Sequence, residues 1–127
     1  MPVLKDENEL VYGKWRYTFQ YVPIEEVTIQ SDRSKAYLDL EKLKFPLLLQ
    51  KWSQGDRMQP YGMHGQKKIS DMLINEKIPN VDKSAVHVLR SGQEVIWLCG
   101  IRIGHTCRVT NETKNVLVIE QKPVKEY

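Results

Sequence analysis

The chain has 127 residues, 41% of them hydrophobic and 28% charged, with a formal net charge of +3. That length supports a single hydrophobic core, and the lack of any apolar run near membrane-spanning length argues against a helical membrane protein. Two cysteines, Cys99 and Cys107, are too few for a secreted disulfide scaffold, and the first nine residues lack an apolar signal segment, so reduced thiols and a cytoplasmic setting are expected.

The positive charge is not spread evenly. From Met1 to Gly55 eight acids balance eight bases, whereas from Asp56 onward eleven bases oppose eight acids. An RNA contact needs only a few cations on one face, although most charged residues simply solvate a surface.

Trp15, Tyr17, Phe19 and Tyr21 alternate with Arg16, Thr18 and Gln20, the period-two pattern of a half-buried strand that ends at Pro23. Val27-Thr28-Ile29 reads as a short second strand. Ala36 to Leu40 reads as a third, and Phe45 to Trp52 as an edge or irregular strand because Pro46 interrupts it. Farther on, Ile69, Met72 and Leu73 fall at i, i+3 and i+4 and share one face of a helix that stops near Lys77, ahead of Pro79. A short second helix is expected after Asn80, capped by Asn80 or Asp82. Val86 to Leu89 and Val95 to Cys99 flank a Gly92 turn and form an antiparallel hairpin. Ile101 to Ile103, Cys107 to Val109 and Val116 to Glu120 supply further strands, with a turn over Thr110 to Thr113. The fold class is therefore α+β, mainly antiparallel strands in a sandwich-like sheet with one or two short helices inserted mid-chain. Residues 1–53 form a strand-rich segment of the same domain, and 54–127 the remainder.

The stretch from Gly55 to Leu73 carries the sharpest functional signal. Gly62 and Gly65 allow positive φ or close approach to a ligand, and Lys67 and Lys68 add charge where the helix is expected to open. A helix N-terminus with free amides and two lysines would hold a phosphate. The spacing is not that of a nucleotide-binding P-loop, which needs four residues between its glycines and a Ser or Thr after the lysine. The plainer alternative is a turn followed by solvated lysines.

Other residues also invite functional readings. His105 and Cys107, with Cys99 nearby, fall short of the four ligands of structural zinc, and no metal is expected. His64 in the glycine loop fits a hydrogen-bond donor or stacking contact better than a catalytic base. Asp56 and Asp71 fit turn caps or partners of neighbouring bases, with Asp71 placed to reach Lys67 or Lys68. The aromatic alternation at Trp15 to Tyr21 fits core packing better than a base-stacking platform.

Gly55-Asp56-Arg57, Pro60-Tyr61-Gly62, Gly65-Gln66-Lys67-Lys68-Ile69-Ser70-Asp71 and Lys77-Ile78-Pro79 occur in order, followed by Ile96 to Ile103 and Val109-Thr110. This series, over about Gln54 to Gln121, resembles the C-terminal domain of bacterial tRNA(Ile)-lysidine synthetase. The resemblance implies a small sheet-based domain that binds tRNA-Ile on its acceptor-stem side and performs no catalysis itself. A catalytic N-terminal domain of the same protein would use ATP and Mg to attach lysine to the wobble cytidine. Its Ser-Gly-Gly-x-Asp-Ser signature loop is not in this sequence. No cofactor is expected on this chain. The matching positions imply backbone contacts by Arg57, Lys67, Lys68 and Lys77, with His64 and Arg102 in support. The alternative is a structural module for homodimerisation or interdomain packing, with the basic loop merely solvated.

Overall fold

A computed structural model describes residues 1–76 and 82–125. In chain order the regular elements are β1 (Pro2–Val3), β2 (Glu9–Tyr12), β3 (Trp15–Pro23), β4 (Lys35–Asp39), β5 (Leu47–Lys51), β6 (Arg57–Met58), β7 (Lys67–Lys68), α1 (Ile69–Asn75), β8 (His87–Ser91), β9 (Glu94–Leu98), β10 (Arg102–Ile103) and β11 (Asn115–Pro123). Among the described residues every strand pairing is antiparallel. One sheet runs β1-β5-β8-β9-β10, a second β2-β3-β11-β4, and β6-β7 make a separate ribbon.

Packing follows from alternation. Tyr17 and Phe19 of β3, Ala36 and Leu38 of β4, and Leu117 and Ile119 of β11 turn one face of the second sheet onto Val3, Leu47, Leu49, Leu89 and Trp97 of the first. The aromatic stripe is thus core, with Trp15 and Tyr21 partly buried at its ends. The other face of the first sheet is covered as well. Val88, Val95 and Leu98 pack under Met58 of the ribbon and under Ile69, Met72 and Leu73 of α1. A strand covered on both sides reads as a continuous apolar run, which explains Val95-Ile96-Trp97-Leu98. The architecture is α+β, a two-sheet sandwich with a third layer of one short helix and the ribbon.

Several expected elements differ. Val27 to Ile29 is not a strand; Ile24–Glu26 forms a 3₁₀ turn and the chain then runs irregularly to β4. The cause is topological. β11 lies between β3 and β4, so this connection must cross over it rather than pair. The Phe45 to Trp52 strand begins after Pro46 and is interior, between β1 and β5's other neighbour β8, so the proline costs no ladder bond. Cys107 to Val109 shrinks to one bridge, Arg108 to Leu38, beside the short β4. The second helix is a single 3₁₀ turn, Lys83–Ala85, whose cap Asp82 accepts from the Ser84 amide at 3.0 Å. The hairpin forms as read, with Gly92 at φ 62°. No helix of the described residues is long and apolar enough to cross a membrane.

Candidate nucleic-acid interface

The expected anion site is rearranged. Lys67 and Lys68 do not open a helix: they form β7, paired with β6 so that Arg57 faces Lys68 and Met58 faces Lys67. The helix starts only at Ile69 and spans seven residues. The Ile69 amide donates to the Asp56 carbonyl at 3.0 Å, so the chain itself uses this N–H. Strand pairing wins because fully buried Met58 and Ile69 pull both ends of the loop onto the first sheet.

Consecutive strand residues leave opposite faces. Lys67 and Lys68 therefore diverge, and Lys68 shares its face with Arg57. Like charges directly opposite are unfavourable by a few tenths of a kcal/mol up to about 1 kcal/mol. Among the described residues, no carboxylate comes within ion-pair distance of Arg57, Lys67 or Lys68. The three form an exposed basic ribbon without internal compensation.

Its base is firmly held. Asp56 accepts from the Ser53 amide at 2.7 Å and from Arg90 Nη2 at 2.6 Å, and Arg90 Nε donates to Gln50 at 2.8 Å. Asp56 thus caps a turn and binds a base, as read from sequence. Asp71 is exposed and forms no ion pair among the described residues, so its expected bridge to Lys67 or Lys68 is absent there. The tip of the connecting loop is pinned too: the Tyr61 amide donates to the Ile103 carbonyl at 2.9 Å, and the Gly62 amide to His105 Nδ1 at 3.1 Å. Gly62 and Gly65 lie at φ 75° and 76°, and an added Cβ would meet nothing at either. They are needed for backbone conformation rather than for close approach. His64 is exposed in this loop.

Arg102 stands on β10, and its Nη1 donates to Glu76 at 3.1 Å. Lys77 lies outside the described residues. Sequence reasoning missed Arg33 and Arg108, which line a cleft of about 390 Å³ with Lys35, Arg102, Tyr37 and Tyr61. No periodic signal links them, because they come from four separate segments. Cys99 and Cys107 are free and buried, and among the described residues no group of His, Cys, Asp or Glu is arranged to hold a metal. Burial pushes the Cys107 thiol up to about 11.

Fold and site together define a small two-sheet α+β domain that presents an uncompensated basic ribbon over one face of its inner sheet. The chain belongs to the family described as the TilS substrate C-terminal domain, whose model matches residues 47–120. A tRNA(Ile)-lysidine synthase of Parabacteroides distasonis is 35% identical over 118 residues, covering 92% of this chain and 27% of that protein. The one from Geobacter sulfurreducens is 36% identical over 86 residues, covering 68% and 18%. The chain thus spans about a quarter or less of these relatives' length. A crystal structure of a TilS C-terminal domain shares the fold, with a TM-score of 0.75 at 16% identity over 89% of this chain and 87% of that one. An N-terminal fragment of the phenylalanyl-tRNA synthetase β-subunit from Pyrococcus horikoshii also shares it, with a TM-score of 0.59 at 22% identity over 68% of this chain and 27% of that one.

Proposed function

We propose that this chain is the tRNA-binding domain of a tRNA(Ile)-lysidine synthase and grips the acceptor-stem side of tRNA-Ile. A catalytic domain of the same protein, with ATP and Mg, attaches lysine to the wobble cytidine in the cytoplasm. The observation that carries this reading is the Arg57–Lys68 opposition: two cations face one another without an acid, an arrangement that a bound phosphate would relieve. Exposed His64, in the loop that joins the two strands, adds to this contact, and Lys67 offers a further cation from the ribbon's other face. Such contacts position a duplex without reading its sequence.

The test is a tRNA-binding isotherm across a salt series for wild type and Arg57→Ala/Lys68→Ala. Each lost phosphate contact lowers the magnitude of the log-log slope by roughly 0.7 to 0.9. An unchanged slope would overturn the assignment.

A second reading has its own support. Met1, Leu4 and Leu48 are 43%, 60% and 37% exposed around the β1–β5 edge, where Pro2 pairs with Leu48. That patch favours packing against another domain or a second copy. Sedimentation separates the readings: a tight dimer without tRNA affinity supports the second, a tRNA-binding monomer the first.

A further inference from the structure

The cleft missed by sequence reasoning is chemically distinct from the ribbon. Its lining includes four cations, Arg33, Lys35, Arg102 and Arg108, and one carboxylate, Asp32. Glu76 pairs with Arg33 and Arg102, and Glu120 with Lys35 at 3.9 Å, which leaves Arg108 as the cation without an ion pair among the described residues. Asp32 is already engaged, accepting from the Ser34 amide at 2.9 Å and from its hydroxyl at 2.7 Å. Arg108 Nη1 donates only to the His105 carbonyl, at 2.9 Å, and forms no ion pair among the described residues. The floor is apolar, built from Ile101, Ile103 and Val109, and the rim holds Tyr61 and Ile29, which are 51% and 56% exposed. A large exposed aromatic ring beside a concave apolar floor and several guanidinium groups is the chemistry of base stacking joined to phosphate binding.

One carboxylate already marks where an anion sits. Glu76, at the end of α1, bridges Arg33 Nη1 through Oε2 and Arg102 Nη1 through Oε1, both at 3.1 Å. The two arginines come from the β3–β4 connection and from β10, and Glu76 is the group that joins them. The Arg33 side chain is 62% exposed, so the bridge is accessible to competing anions. A phosphate offers the same bidentate geometry with more charge.

We propose that this cleft takes a nucleotide with an unpaired base. The phosphate replaces the Glu76 carboxylate on Arg33 and Arg102, with Arg108 adding charge, and the base lies over the apolar floor against Tyr61. A duplex would not enter, because its bases are already stacked and a concave site of this volume accepts one small molecule or one splayed nucleotide. The ligand class rests on the RNA-binding reading above, but its residues are separate from Arg57 and Lys68.

The test titrates the chain with a fluorescent single-stranded oligoribonucleotide, a blunt RNA duplex and adenosine 5′-monophosphate, using wild type, Tyr61→Ala, Glu76→Gln and Arg57→Ala/Lys68→Ala. Tyr61→Ala is expected to weaken the single strand about 5- to 150-fold, the span of base–aromatic stacking, and to leave the duplex unchanged. Glu76→Gln releases two arginines and is expected to tighten single-strand binding and steepen its salt dependence, whereas a purely structural Glu76 would only lower the melting temperature. Binding of the oligoribonucleotide alone identifies an RNA strand as the source, and equal binding of the monophosphate identifies a free nucleotide. Single-strand affinity indifferent to both Tyr61→Ala and Glu76→Gln, with circular dichroism showing folded variants, overturns the site. Loss of duplex binding only in the Arg57/Lys68 variant keeps the two proposals distinguishable.

Discussion

Arg57 and Lys68 stand directly across the β6–β7 ribbon from each other, on the face away from buried Met58. The ribbon is held against this repulsion by hydrophobic burial below and by Asp56 at its base, so its charge is tolerated locally and supported from elsewhere. Stability and binding should therefore pull in opposite directions at Lys68. Lys68→Glu converts a like pair into an opposite pair and is expected to raise unfolding stability by about 0.2 to 1 kcal/mol while weakening tRNA binding. Denaturant unfolding and a filter-binding assay on one preparation check both signs; reduced stability would mean the two side chains do not interact.

Asp56 joins three parts of the chain. It takes the Ser53 amide and the Arg90 guanidinium, and its carbonyl takes the Ile69 amide. The Arg90 and Asp56 side chains are only 18% and 14% exposed. Asp56→Ala leaves a mostly covered guanidinium without its counter-charge and is expected to cost about 2 to 3 kcal/mol. Asp56→Asn keeps an acceptor and should cost less. Chemical denaturation gives the ranking, and limited proteolysis should cut the Ala variant first between Gly55 and Gln66.

What could be read from the chain beforehand followed from periodicity. β3 announced itself through four alternating aromatics, and β8–β9 through two apolar runs around Gly92, because long strands with a buried face impose a period of two. The ribbon was illegible because two-residue strands have no period and their pairing is decided by the burial of Met58 and Ile69. The lysine pair accordingly read as a helix start. The cleft was illegible for another reason: Arg33, Tyr61, Arg102 and Arg108 meet only after both sheets have packed.

Gly100 tests the tightness of the junction between sheets. It lies at φ 78°, and a Cβ there would overlap the Gln121 amide oxygen, whose own Nε2 donates to Tyr17 at 3.0 Å. Gly100→Ala thus combines backbone strain with displacement of a buried hydrogen-bond partner and should cost about 2 to 4 kcal/mol. Gly62→Ala has the same sign of φ but open space around it, so it should cost only about 1 kcal/mol. Equal melting temperatures for the two variants would refute the role given to Gln121.

The same buried network makes stability depend on pH. The Tyr17 hydroxyl lies 2.7 Å from His87 Nδ1 and accepts from Gln121 Nε2 at 3.0 Å; with the ring neutral and its proton on Nε2, the hydroxyl is the donor to Nδ1. Burial, with Lys51 across the strand pair adding repulsion, lowers the His87 pKa from 6.5 to about 4. The unfolded chain therefore binds a proton that the folded chain refuses. The contribution of neutral His87 is complete above the ordinary histidine value of 6.5 and is lost as pH falls toward about 4, at up to about 1.4 kcal/mol per unit. Asp32 and Asp82, whose pKa values are lowered chiefly by their bonds to Ser34 and Ser84, act below this window. His87→Gln keeps an acceptor for the Tyr17 hydroxyl and removes the titrating group, so it should flatten the pH dependence between those values even if its stability at neutral pH is lower. Urea unfolding of both proteins across the window decides the matter, and parallel slopes would show that His87 is already solvated in the folded state.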